Sequence, residues 1–181
     1  MKKILPLILI FILLSSITAE AKADTQIKNI VYMIPDGGGM APFFLADYVK
    51  KPGGLDEKFP SATPTPAENM FIKDYLIGAE TTYSANSSVT DSAASGTALS
   101  SGYKTNNGMI GITPEFSPRA TILEACQSLG KNTGIVITYE WTNATPAAFS
   151  AHYESRYGTT MLAEQIVNQG IDVVLCRTIT D

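Results

Sequence analysis

The chain has 181 residues, with 13 Lys and Arg against 17 Asp and Glu, which gives a formal net charge of −4. This balance provides no basic surface for nucleic acid or for an anionic membrane. An acidic chain can still bind an anionic ligand where cations lie in the site, and this would favour a metal.

The first 23 residues have the pattern of a secretory signal peptide. Lys2 and Lys3 precede an apolar run at 4–14, and a small-residue site then ends at Ala21, Lys22 and Ala23. The apolar run is shorter than the roughly 20 residues that span a bilayer. We therefore expect cleavage before Asp24, no stable membrane anchor, and a secreted or periplasmic protein.

The remaining segment, 24–181, is long enough for one domain with a hydrophobic core. Loss of the first 23 residues removes three lysines and one glutamate, which leaves 10 basic and 16 acidic residues. Two cysteines, Cys126 and Cys176, are compatible with one disulfide in an exported protein or with two buried thiols.

The first half of this segment begins with a β-branched run at 27–34. This run predicts a buried parallel strand that ends at Pro35, Asp36 and three glycines. The pattern then predicts four further elements. They are a helix at 42–49, a loop at 51–66, a helix at 66–76 and a short strand at 80–85.

The second half alternates helices and strands. Helices are predicted at 92–101, 119–129 and 159–168, with a short helix from Thr145 that carries His152 and Arg156. Strands are predicted at 132–139 and 171–175, and an irregular loop or hairpin at 102–118. The alternation predicts an α/β fold, three-layered with a mostly parallel central sheet.

Three places in the chain are expected at one edge of that sheet: Asp36, the pair Asp91 and Ser92, and the loop at Thr145. Ligands of parallel sheets gather at the carboxyl ends of the strands. The glycines beside Asp36 allow a metal and a substrate to approach the backbone. The alternative interpretation of Asp36 is an ordinary turn residue before glycine.

The nine residues at 89–97, VTDSAASGT, present a serine among very small residues. A helix that starts at Ser92 would direct its N–H groups and positive dipole end toward an anion. The alternative is that Asp91 and Ser92 are a simple N-cap. Serine needs a base, a cation or a metal to attack. The single histidine, His152, is interpreted as a packing or surface residue, so metal activation is favoured.

This run resembles the active-site signature of the alkaline phosphatases, and the resemblance extends over residues 27–175. It implies that Ser92 is the nucleophile that becomes phosphorylated and that Arg156 binds phosphate. It also implies that Asp91 holds this arginine, that Asp36 binds zinc and magnesium, and that Thr145 binds magnesium. Ser92 would share the zinc of Asp36, and the substrates would be phosphate monoesters.

The resemblance covers the N-terminal half of such a domain, so the fold is expected to be incomplete. The family completes its two zinc sites and its magnesium site with residues from its second half. Asn143 stands where many relatives carry Asp or His, which affects the magnesium site. We therefore expect this polypeptide to be poorly active alone. The alternative function is an inactive fragment that binds at most phosphate or one metal ion. A homodimer is compatible with the resemblance.

Overall fold

The computed structural model describes residues 27–49 and 75–177, in two units that divide after Pro35. The predicted signal peptide, the loop at 51–66 and most of the helix at 66–76 lie outside these residues. No helix within the described ranges is long and apolar enough to cross a bilayer. The elements are α1 (Met40–Val49), α2 (Ser92–Ser101), α3 (Ile122–Ser128), β1 (Gly134–Val136), α4 (Ala144–Ser150), α5 (Thr159–Asn168) and β2 (Val173–Leu175).

The two strands form a small parallel sheet. Gly134 pairs with Val173, and Val136 pairs with Leu175. A parallel pair needs a crossover connection, and the chain supplies it with α4 and α5. This is the α/β architecture with a parallel sheet that the alternating pattern predicts.

The core lies where α2 packs against α4, and small residues make that contact. Ala93, Ala144, Ala147 and Ala148 are all buried at 1% exposure or less. A methyl group added at Gly96 would lie 2.9 Å from the Cβ of Ala148, so glycine is what allows the helices to approach this closely. Larger apolar residues complete the core beside this contact: Ile110, Leu162 and Ile166.

Two predicted strands are wrong. The run at 27–34 is not a strand; its apolar side chains are mostly exposed, with Val31 at 82%. A strand needs a pairing partner, and residues 27–35 contain no second segment to pair with. The segment at 80–85 is not a strand either, because its end enters a turn. The Ser84 N–H donates to the Ser87 carbonyl, and the Ala85 N–H donates to the Thr105 carbonyl.

The helix predictions at 92–101 and 159–168 are confirmed at the predicted boundaries. The predicted helix at 119–129 is α3, which starts later because Thr121 caps it. The predicted strands at 132–139 and 171–175 are present as the shorter β1 and β2. Cys126 and Cys176 are free thiols, half-buried and exposed respectively, so the disulfide alternative does not hold in this structure.

The start of α3 is a capping box joined to the single histidine. The Thr121 Oγ1 accepts from the Glu124 N–H at 3.2 Å, and Glu124 Oε2 accepts from the Thr121 N–H at 2.8 Å. Burial alone would raise the pKa of Glu124. Hydrogen bonds from His152 and Thr121 outweigh this effect and hold the pKa below its ordinary value.

Replacement of Glu124 by glutamine tests this charge, because glutamine keeps the capping box. At neutral pH we expect Glu124→Gln to lower the free energy of unfolding by about 1 kcal/mol, since solvent screens part of the interaction. A carboxyl whose pKa is lower in the folded protein than in the unfolded chain stabilises the fold at pH values above its unfolded-state pKa. This stabilisation disappears as the pH falls through the folded-state pKa. The difference from wild type should therefore vanish in acid, measured by urea denaturation across a pH series. The same change at the exposed Glu115 is the control; an equal loss there would contradict the prediction.

The contact at Gly96 predicts that Gly96→Ala destabilises the protein, although alanine is the better helix former by about 1 kcal/mol. The added methyl group meets Ala148, and overpacking of this kind costs about 1–3 kcal/mol. The double variant with Ala148→Gly moves the methyl group across the interface and should recover much of the loss. Chemical denaturation of the four proteins gives the coupling energy; additive effects would show that the two positions do not clash.

Candidate active site

Asp36 receives two hydroxyl groups on one carboxylate oxygen. Ser92 Oγ donates to Asp36 Oδ2 at 2.9 Å, and Thr145 Oγ1 donates to the same atom at 3.0 Å. Ser92 is the first residue of α2, and Thr145 lies in the first turn of α4. Because these two helices pack together at their small residues, both hydroxyls reach the same point.

Asp91 is the second carboxylate of the site, and N–H groups surround it. Its Oδ1 accepts from the Ala94 N–H at 2.9 Å and so caps α2. Its Oδ2 accepts from the Gly108 N–H at 3.1 Å and from Arg156 Nη1 at 3.0 Å. The Asp91 and Arg156 side chains are only 25% and 22% exposed, so the ion pair is partly shielded from solvent. The structure therefore brings together the predicted acid and the predicted arginine.

The placement of Arg156 differs from the expectation that it lies on the helix that starts at Thr145. Helix α4 ends at Ser150, and Ala151 is already extended. After that point, the backbone pairs with the loop at 102–118. Tyr153 pairs with Ile110, and the Arg156 N–H donates to the Gly108 carbonyl at 2.7 Å. A neighbouring loop, instead of a helix, fixes this arginine.

His152 likewise shares no helix face with Arg156. Its Nδ1 lies 2.7 Å from the Gly111 carbonyl oxygen, and its Nε2 lies 2.9 Å from Glu124 Oε1. The side chain is 20% exposed. One ring nitrogen therefore contacts α3 and the other contacts the loop at 102–118, and neither is bonded to Ser92. This arrangement fits a packing histidine.

The oxygen ligands at Asp36 fit magnesium better than zinc. One carboxylate and two hydroxyls are hard oxygen ligands, and Mg²⁺ commonly keeps several waters besides such groups. Zinc prefers three or four protein ligands that include nitrogen or sulfur. Within the described ranges no three His, Cys, Asp or Glu side chains come together as a metal cluster. These residues alone thus do not fit the two expected zinc sites.

Asn143 is the residue before α4, two positions before Thr145 in the chain. Its side chain makes no capping hydrogen bond to that helix. An amide at this position is neutral, so it brings no charge that would help retain a cation.

The sequence did not reveal that the turn at 106–109 belongs to the site. Gly108 contacts both sides of the ion pair through its backbone, and it has a φ of +87° that favours glycine. The available signal was the dipeptide of Asn107 and Gly108, which is typical of a tight turn. That signal predicts a turn but not which distant residues contact it.

Comparisons with known proteins give one consistent family. The family model described as alkaline phosphatase matches residues 27–179. The chain is 35% identical to alkaline phosphatase 3 of Bacillus subtilis, over 94% of this chain and 38% of that protein. It is 34% identical to the repressible alkaline phosphatase of Saccharomyces cerevisiae, over 87% of this chain and 26% of that protein. The chain thus spans about a quarter to two fifths of these relatives.

Solved structures agree with this likeness. The cold-active alkaline phosphatase of a psychrophilic Shewanella species matches with a TM-score of 0.67 and 34% identity, over 79% of this chain and 34% of that one. An alkaline phosphatase of the Antarctic bacterium TAB5 matches with a TM-score of 0.51 and 35% identity, over 52% of this chain and 28% of that one. A variant of the TAB5 enzyme is described with magnesium bound.

The two functions of Asp91, as a cap and as the partner of Arg156, can be separated by substitution. Asp91→Ala removes both, and we expect it to lower the free energy of unfolding by about 1–2 kcal/mol. Asp91→Asn keeps an oxygen for the Ala94 N–H and should lose less than half as much. Urea denaturation at pH 7 measures both variants; equal losses would show that the ion pair, and not the cap, stabilises the fold.

Proposed function

We propose that Ser92 is the nucleophile in the hydrolysis of phosphate monoesters through a phosphoserine intermediate. The premise of this proposal is that the chain belongs to the alkaline phosphatase family. The observation that carries this proposal is the position of Ser92 Oγ, at the start of α2 and 2.9 Å from Asp36, next to an Asp91 that binds Arg156. This places a hydroxyl, a guanidinium and a helix N-terminus in one region. The proposal includes export directed by residues 1–23.

Phosphate binding falls to Arg156 and to the start of α2. A guanidinium donates several hydrogen bonds to phosphate oxygens, and its charge compensates theirs. The positive end of the helix dipole adds to this attraction. Only Nη1 of Arg156 is bonded to the Asp91 carboxylate, so Asp91 does not use the other donor groups of the guanidinium. These donors are what an ester phosphate would meet.

Ser92 would then attack phosphorus, the bond to the ester oxygen would break, and water would hydrolyse the phosphoserine in a second step. Asp36 orients the serine, because its Oδ2 accepts the hydroxyl hydrogen. Thr145 holds the same oxygen from the other helix and so fixes the carboxylate. Arg156 would stabilise the non-bridging oxygens as charge redistributes.

A carboxylate is a far weaker base than an alkoxide, so Asp36 alone does not activate serine strongly. A divalent metal held by Asp36, Ser92 and Thr145 would supply a Lewis acid that stabilises the serine alkoxide. The described residues offer oxygen ligands for one such ion.

A second candidate function is phosphate binding without turnover. The observation that favours it is the ligand set: the described residues contain a single carboxylate at the metal position and no cluster suited to zinc. Arg156 and α2 would still attract phosphate under this alternative, while Ser92 would lack full activation.

The two candidates are separated by assaying the purified full chain with p-nitrophenyl phosphate in the presence of zinc and magnesium. If Ser92 is the nucleophile, Ser92→Ala should reduce turnover by at least about 10³-fold. Ser101→Ala, at the far end of the same helix, is the matched control and should remain active, because its hydroxyl donates to the Thr97 carbonyl and accepts from the Tyr103 N–H, both at that end of the helix. Intact-mass analysis should also find one phosphoryl group on wild type and none on Ser92→Ala.

Wild-type activity no higher than that of Ser92→Ala would overturn the enzymatic proposal. Phosphate binding by such an inactive chain, measured by calorimetry and weaker in Arg156→Ala, would support the second candidate. Absence of both activity and binding would overturn both.

A further inference from the structure

The turn at 106–109 contacts the segment that leads into Ser92, and Asn107 is its most connected side chain. Asn107 Oδ1 accepts from the Asp91 N–H at 3.1 Å, and Asn107 Nδ2 donates to the Val89 carbonyl at 2.9 Å. The backbone N–H of Asn107 donates to Asn86 Oδ1 at 2.9 Å. One carboxamide thus binds two backbone groups of the segment that leads into Ser92.

These bonds fix the backbone of Asp91 in the conformation that an N-cap needs. Asp91 has φ −108° and ψ 174°, which is extended, whereas α2 begins at the next residue. The extended conformation lets the carboxylate turn back to the Ala94 N–H. Because Asn107 binds the peptide groups on both sides of Thr90, it resists rotation of the segment that carries Asp91.

The next residue of the turn, Gly108, is bonded to both Asp91 and Arg156. The Gly108 N–H donates to Asp91 Oδ2, and the Gly108 carbonyl accepts from the Arg156 N–H. The turn therefore holds the acid by its backbone and its carboxylate, and it holds the arginine by its backbone. The turn is thus bonded to both members of the ion pair.

We propose that Asn107 is a positioning residue for phosphate binding: it orients Asp91, which in turn orients Arg156, without touching the phosphate itself. This inference rests on the proposed function. Asparagine suits the task because one planar group carries both an acceptor and a donor. Aspartate would lack the donor for Val89 and would place a second negative charge near Asp91.

The first test measures amide hydrogen exchange by NMR on the full chain without ligand. Asn107→Ala should accelerate exchange of the Ala94 N–H by about fivefold, the factor that corresponds to loss of an ordinary cap. Ala94 is bonded to Asp91 and not to Asn107, so a change there reports the orientation of Asp91. The Glu124 N–H, capped by Thr121 in the same molecule, is the internal control and should keep its rate.

Asn106→Ala is the matched variant, since Asn106 precedes Asn107 in the same turn and uses its backbone carbonyl to accept from the Met109 N–H. It should leave the Ala94 rate unchanged. Equal exchange in Asn107→Ala and wild type, or equal acceleration in both alanine variants, would overturn the proposal.

The second test measures the affinity for inorganic phosphate by calorimetry. Asn107→Ala should weaken binding by about three- to tenfold when Arg156 is present and should have no effect in an Arg156→Ala background. A loss that persists without Arg156 would overturn the proposal, because it would show a general structural effect. If wild type binds no phosphate, the proposed function fails, while the exchange experiment still decides whether Asn107 orients Asp91.

If Asn107→Ala does not fold, both measurements are made on Asn107→Asp, which keeps the acceptor for the Asp91 N–H but loses the donor to Val89. An Ala94 rate and a phosphate affinity equal to those of wild type would count against the proposal. Faster exchange and weaker binding would support it.

Discussion

The carboxylate of Asp91 is the interaction on which the site depends, because three separate parts of the chain donate to its two oxygens. The donors are the Ala94 N–H of α2, the Gly108 N–H of the turn at 106–109 and the guanidinium of Arg156. With the side chain about one quarter exposed, water is a poor substitute for these donors. A change at any of the three partners therefore shifts the other two.

The contact of α2 with α4 provides the second constraint. The short distance between the two helices matters more there than the apolar area that the contact buries. Alanines and Gly96 offer little surface, so their value lies in letting two helix backbones come close. That approach carries Ser92 and Thr145 to the same oxygen of Asp36. The packing of the two helices and the position of the Ser92 hydroxyl thus depend on the same small residues.

The features that the sequence predicted best are those that depend on residues close together in the chain. The boundaries of α2 follow from Asp91 as an N-cap and Gly102 as a left-handed C-cap, both of which act within one turn of the helix. The membership of Arg156 in the site came from a family resemblance, but its location beyond α4 depends on pairing with Gly108. Asn107 escaped prediction for the same reason. The apolar run at 27–34 has side chains that favour a strand. A strand also needs a second segment to pair with, and residues 27–35 do not contain one.

The two carboxylates of the site differ in the donors that they face, and this difference suits them to different tasks. Asp91 is bound by N–H groups, which are donors only, so a cation at its oxygens would meet the hydrogens of Gly108 and Arg156. Asp36 faces two hydroxyls, and a hydroxyl can rotate its hydrogen away and present a lone pair. Asp36 with Ser92 and Thr145 can therefore convert from a hydrogen-bonded group into a set of oxygen ligands without moving the backbone. Under the proposed function, these neighbours favour Asp91 as the carboxylate for the arginine and Asp36 as the carboxylate for a metal.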